Sequence, residues 1–232
     1  LTAVLNRNPG LKRFVHISSQ TVSGPSLNGI PVTEETPCQP ITTYGKSKLE
    51  AEKECHAVSS HLPITIVRPP TVYGPRDKDV FEFFNTMKKG LQPMVGMKEK
   101  HVSMIHVKDL VRGMVIAGEN AKSIGQTYFI TSERYYGWKE VGEVTASVMG
   151  KHPLRLKIPE AGVYVIASFA ELFALFSSKP ALINFEKARD MVQDSWTCDA
   201  SKAKRELGFK EEFTLESGIR NTVDWYEKEG WL

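Results

Sequence analysis

Phe14-Val15-His16-Ile17-Ser18-Ser19-Gln20-Thr21-Val22-Ser23-Gly24 starts as a strand and ends as a turn. Its first four residues are β-rich and bounded by serines, the pattern of a short buried parallel strand. Residues 64–67, Ile-Thr-Ile-Val, repeat the pattern and stop at Pro69-Pro70, where proline cannot continue a ladder. Between the two, residues 43–58 read as a helix with Thr42 or Thr43 as its cap. The alternation continues with helix 80–89, a strand-like run at 102–106, helix 107–117, strand 127–130 and helix 138–149. Strands alternating with helices of this length predict an α/β fold, a mostly parallel sheet with helices on its faces.

Outward from that core the pattern changes. Residues 1–6 read as a helix end stopped by Asn8-Pro9-Gly10, and Leu1 is not an initiator methionine, so a longer parent chain is expected. Residues 23–40 are rich in Gly, Pro, Ser and Thr and form a long loop, a type that is usually functional. From residue 151 the chain turns helix-rich, with a short strand at 154–158 and closing helices at 200–207 and 215–229; Gly208 stops the first of these. The expected division is residues 1–150, the sheet domain together with part of a second lobe, and 151–232, the mainly helical rest of that lobe, expected to bind substrate.

Composition narrows the partners. The net charge is only +3 with both signs interspersed, so no nucleic acid is expected. Cys38, Cys55 and Cys198 are scattered, which reads as free thiols in a reducing, cytoplasmic setting. The histidines and acidic residues show no metal-ligand clustering. The most apolar stretch, residues 161–176, is shorter than the ~20 residues of a membrane span and contains Glu171; a core helix, a lid or an interface helix is expected there.

Tyr44-Gly45-Lys46-Ser47-Lys48 is the strongest local signal, and by itself it reads as a solvated surface pair or as a proton relay. On a helix, Tyr44 and Lys48 lie one turn apart on one face. The ammonium favours the phenolate by charge attraction, and the helix N-terminus adds a smaller effect of the same sign. Tyr44 then becomes a workable proton shuttle for an alcohol/carbonyl couple. Ser19 follows the carboxyl end of a strand, where open α/β sheets bind their ligands.

The chain resembles the extended short-chain dehydrogenases, the NAD-dependent epimerase/dehydratase family. The resemblance rests on Ser18-Ser19, Val22-Ser23-Gly24, Thr33-Glu34, Tyr44 to Lys48, Arg68-Pro69-Pro70-Thr71-Val72-Tyr73-Gly74-Pro75-Arg76, Ile105-His106-Val107-Lys108-Asp109-Leu110, and Ser201-Lys202-Ala203 with Glu206-Leu207-Gly208-Phe209. It implies a Rossmann-like doubly wound parallel sheet whose N-terminal strands lie upstream. It also implies an NAD(P)-dependent oxidoreductase in which Tyr44 is the acid/base. Lys48 assists Tyr44 and holds the cofactor ribose, and Ser19 steadies the substrate oxygen. Pro70, Thr71 and Val72 lie near the nicotinamide. Gln20, Thr21, Tyr73 and Arg76 face the substrate, and a homodimer is expected. His106 and Asp109 are expected to be structural.

Departures sharpen the expectation. No two glycines stand three positions apart, so the glycine-rich pyrophosphate turn is absent, and this chain alone is expected to bind NAD or NADP weakly and to be inactive. Without upstream strands, Phe14 to Ile17 is an exposed sheet edge. Val102-Ser103-Met104 stands where nucleotide-sugar enzymes carry Arg-Asp-Phe, and Ser23 replaces a tyrosine. Both changes resemble the dihydroflavonol-reductase and 3β-hydroxysteroid-dehydrogenase branch. The leading reading is oxidoreduction of a secondary alcohol or ketone. A nucleotide-sugar epimerase or dehydratase is the alternative among enzymes, and a dinucleotide-sensing or protein-binding relative is the alternative outside them.

Overall fold

A computed structural model describes residues 1–7, 10–174 and 184–232. The Asn8-Pro9 helix stop and the end of the apolar stretch, Phe176, lie outside the described residues. In chain order the first elements are α1 (Thr2–Arg7), β1 (Phe14–Ile17), α2 (Thr43–Ala57), β2 (Ile64–Arg68), β3 (Thr71–Tyr73), α3 (Phe81–Lys88) and β4 (Leu91–Val95). Then come β5 (His101–Val102), β6 (Met104–His106), α4 (Val107–Glu119), β7 (Thr127–Phe129), β8 (Tyr136–Gly137) and α5 (Trp138–Val148). The chain closes with β9 (Leu154–Ile158), α6 (Glu160–Ala174), α7 (Phe185–Met191), β10 (Ser195–Trp196), α8 (Ser201–Leu207) and α9 (Leu215–Lys228).

These elements form two compact units that interleave along the chain: residues 1–74, 103–135 and 196–214, and residues 75–102, 136–195 and 215–232. Their limits differ from the expected halves 1–150 and 151–232. The reason is that β6, α4 and β7 lie downstream of β4 and β5 in sequence yet pack in the first unit, which a reading in chain order cannot show.

The first unit is built on a parallel sheet of order β1-β2-β7. Phe14 stands beside Ile64 and Ile17 beside Val67. Period-2 alternation sends Ile64 and Ile66 to one face, where they pack with Cys55, Leu62 and Phe14. Val67 goes to the other face, into a core of Ile105, Leu110, Ala117, Tyr128, Leu207 and Phe209. Helices thus cover both faces, as the alternation predicted. β2 is buried along its whole length, as a central strand must be. Among the described residues β1 pairs only with β2 and forms the edge.

The expected strand at 102–106 is broken. Ser103 turns the chain, so β5 pairs antiparallel with β8 while β6 pairs parallel with β3. In the second unit β4 pairs parallel with β9 along Leu91–Val95. Pro93 hid β4 from a propensity reading; a two-stranded sheet consists only of edges, where proline's missing donor is tolerated. Two core positions of α6, Val163 and Ala167, are buried against Ala188 of α7. Val165, Ile166, Phe169, Leu172 and Phe173 are exposed, so only those two positions bear out the core reading of this helix.

Candidate active site

α2 starts where Thr42 Oγ1 accepts the Gly45 N–H at 3.2 Å, which selects Thr42 over Thr43 as cap. The helix buries Gly45, Glu52 and Cys55, a stripe with almost no aliphatic surface. Directional contacts replace that surface. Lys48 Nζ donates to the Ile17 carbonyl at 3.1 Å, at the carboxyl end of β1. One turn further, Glu52 takes both arms of the Arg68 guanidinium, at 2.9 and 2.6 Å. Arg68 also donates to Ser23 Oγ at 3.3 Å and to Cys38 Sγ at 3.3 Å. Burial opposes the Arg68 charge, but the Glu52 carboxylate outweighs it and holds the guanidinium above its usual pKa. His16, on the same sheet face, is pushed down by burial and by the Lys48 ammonium.

Tyr44 is 54% exposed, and Lys48 Nζ sits 5.7 Å from its ring centroid. Gly45 lets the helix start so close to its neighbour: a Cβ there would lie 2.8 Å from the Thr21 carbonyl oxygen and 2.9 Å from Pro40 Cβ. The first turn of α2 is thereby seated on the 3-10 turn Gln20–Val22, which Ser19 caps. Ser19 Oγ accepts from the Thr21 N–H at 3.2 Å and from the Thr21 hydroxyl at 2.9 Å. Gln20 N–H donates to the Pro69 carbonyl at 2.9 Å, which lays the serine turn beside Pro70. Thr71 and Val72 follow, half-buried in β3.

The other expected site residues have varied surroundings. Gln20 is 3% exposed; its Nε2 and Ser18 Oγ are buried without a hydrogen-bond partner among the described residues. Tyr73 is buried with its ring edge-on to His106. Arg76 is exposed, has φ +72° and belongs to the second unit. His106 caps α4 through Nδ1, which accepts the Lys108 N–H at 3.4 Å. Asp109 accepts the N–H groups of Glu212 and Phe213, each at 3.0 Å. The structural reading of both residues fits, although Asp109 ties down the C-terminal loop instead of the strand end.

Sequence reasoning missed the seat of Gly45, the Glu52–Arg68 clamp and the hold of Thr21 on Ser19. One signal was present: Tyr44, Lys48 and Glu52 share a stripe at i, i+4 and i+8, and its last member is a carboxylate that needs a partner. A cavity of about 630 Å³ lined by Lys12, Arg13, Glu119 and Ile124 opens at the amino end of β1. That is the end opposite Ser19, and such sheets bind ligands at carboxyl ends. Among the described residues no His, Cys, Asp and Glu group is arranged to hold a metal, and no helix is long and apolar enough to cross a membrane.

A parallel sheet with helices on both faces, and a phenol–ammonium pair at a strand's carboxyl end, define a Rossmann-like α/β protein. Residues 1–131 match the NAD dependent epimerase/dehydratase family, and the chain belongs to that family. It is 28% identical over 221 residues to the ceramide reductase of Caulobacter vibrioides, covering 95% of this chain and 64% of that one. It is 26% identical to the 3beta-hydroxysteroid-dehydrogenase/decarboxylase isoform 1 of Arabidopsis thaliana, covering 93% of this chain and 53% of that one. The fold matches UDP-glucuronic acid 4-epimerase from Bacillus cereus, solved with NAD: TM-score 0.75, 22% identity, 97% of this chain and 65% of that one. The chain thus spans about two-thirds or less of each relative's length.

Proposed function

We propose that the protein is an NAD(P)-dependent oxidoreductase acting on a secondary alcohol or its ketone, with Tyr44 as acid/base. The observation that carries this reading is the Lys48–Ile17 bond, which holds an ammonium 5.7 Å from the ring centroid of the exposed Tyr44, close to where β1 ends. An ammonium has three donors, and one is spent on Ile17, so two remain for a ribose diol. This donor set fits the nicotinamide-ribose end of a dinucleotide. Bound nicotinamide supplies or accepts the hydride.

The chain's own residues do the rest. Tyr44 gives its proton to the carbonyl oxygen as that oxygen gains electron density, or takes it back in the oxidative direction. The Lys48 ammonium steadies the phenolate that results, and Ser19 hydrogen-bonds the reacting oxygen. Gln20, Thr21, Tyr73 and Arg76 remain proposed substrate neighbours, and Pro70, Thr71 and Val72 proposed neighbours of the nicotinamide.

An apolar alcohol or ketone is favoured over a nucleotide sugar. The ceramide reductase and steroid dehydrogenase relatives support this, as does Val102, half-buried in β5 at the position where nucleotide-sugar enzymes carry arginine. The test is to titrate NADH and NADPH into the full-length protein, then assay a 3β-hydroxysteroid, a keto-ceramide and UDP-glucose. Tyr44→Phe is expected to lower turnover by about 10²–10⁴-fold while the dinucleotide affinity stays within a few-fold. Full activity of that variant overturns the reading; epimerisation of UDP-glucose alone transfers it to the sugar-nucleotide class.

A further inference from the structure

A serine hydroxyl has one donor and two acceptor positions. Ser19 Oγ accepts from Thr21 twice, from its N–H at 3.2 Å and from its hydroxyl at 2.9 Å, so both acceptor positions are filled. Only the Ser19 O–H remains, and it can only donate. We propose that Thr21 is also a positioning residue, one that fixes Ser19 as a hydrogen-bond donor.

The proposal rests on the proposed oxidoreductase reading and adds a direction to its proton traffic. A serine with a free lone pair is able to accept a hydrogen bond from the Tyr44 hydroxyl, which would turn that proton away from substrate. With its lone pairs taken, Ser19 has no place for that proton. In the reductive direction the carbonyl carbon receives the hydride and the C=O π pair moves onto oxygen. The Tyr44 proton forms the new O–H and leaves phenolate behind. Ser19 keeps its own proton and donates a hydrogen bond throughout. Two donors converging on Oγ also polarise the O–H, since linked hydrogen bonds strengthen one another.

The same residue locates the other arm of the site. The Thr21 carbonyl is the surface that a Cβ at Gly45 would strike, and it accepts the Gly24 N–H at 3.3 Å. Thr21 therefore touches the Ser19 hydroxyl with its side chain and N–H, and the Tyr44 helix with its carbonyl. Its hydroxyl can be removed without disturbing the carbonyl, which makes the first role separable from the second.

The experiment uses the full-length protein and whichever of the 3β-hydroxysteroid, keto-ceramide and UDP-glucose turns over fastest. Thr21→Val keeps shape and backbone bonds but loses the hydroxyl, and should lower kcat by about 10-fold, less than the 10²–10³ for losing a whole oxyanion donor, with KM within about twofold. Thr21→Ser should restore kcat to within about threefold, and in a Ser19→Ala background Thr21→Val should add less than about twofold, as for residues acting as a unit. A kcat for Thr21→Val equal to wild type, or an equal added loss in the Ser19→Ala background, overturns the proposal. Ser19→Ala with full activity overturns the underlying reading instead. Neutron diffraction from deuterium-exchanged crystals gives a reading that needs no turnover. The Thr21 deuteron is expected to point at Ser19 Oγ and the Ser19 deuteron away from Thr21; the reverse arrangement overturns the proposal.

Discussion

Two helices of equal length, α2 and α6, are held in opposite ways. Each has 15 residues. α2 is polar, and what it buries is Gly45, Glu52 and Cys55; a cap, a lysine-to-carbonyl bond and a buried ion pair fix it. α6 is apolar on both sides, yet buries only Val163 and Ala167 and leaves Phe169 58% and Phe173 71% exposed. Directional bonds tolerate little displacement, so α2 and the Tyr44 it carries are closely placed. Apolar contact is non-directional, so the outer stripe of α6 suits binding an apolar surface without aligning it. The comparison teaches that directional bonds hold one helix of this chain and apolar packing the other.

The largest expected effect comes from cutting the clamp. Arg68→Met leaves the Glu52 carboxylate buried and unpaired, and should cost about 3–5 kcal/mol of stability in urea denaturation. Replacing both partners, Arg68→Met with Glu52→Leu, should recover most of that loss, because the uncompensated charge is gone. A single-variant loss below about 1 kcal/mol, the level of a surface pair, would erase the contrast between the helices.

Next comes the seat. Gly45→Ala places a Cβ 2.8 Å from the Thr21 carbonyl oxygen, and overpacking of this kind costs about 1–3 kcal/mol. The helix start must move, carrying Tyr44 with it, so turnover should fall about tenfold or more, as sub-ångström misplacement does. Wild-type turnover in a variant destabilised as expected would show that α2 tolerates displacement after all.

A smaller effect is expected beside α6. Burial and then Glu186 push the Asp190 carboxyl of α7 up to about 6. A carboxyl raised above its unfolded value binds its proton more tightly when folded. Its contribution is therefore complete below about pH 4 and is lost as pH rises through about 6. Asp190→Asn should be more stable than wild type at pH 7 by about 1 kcal/mol after allowing for solvent screening, and equal to it near pH 3. Thermal melts across that range check the sign; a gain that persists at pH 3 would exclude titration of Asp190 as its origin.

The smallest effect belongs to the exposed stripe. Phe169→Ser should change stability by no more than about 0.5 kcal/mol, as exposed positions do, and reduce binding of an apolar fluorescent dye. A loss of several kcal/mol would place Phe169 in a packed core and remove the distinction drawn for α6.

By itself the sequence made most of the elements and the family readable. Alternating β-rich and helical runs made β1, α2, β2, α4 and β7 legible, because period and capping are local consequences of backbone geometry. Tyr44 and Lys48 shared a helix face for the same reason. Tertiary structure decided which of these met. β4 was hidden by Pro93, and the 102–106 strand was divided because its two ends join different sheets. Glu52 found Arg68 across 16 positions, and the Thr21 hydroxyl found Ser19 Oγ. The exposure of the α6 stripe was settled there as well. Local periodicity states that a side chain has an inward or outward face, but the partner on that face depends on how the chain returns in space. Hydrogen bonds and ion pairs are short-range and directional, so their partners become readable only when distances are.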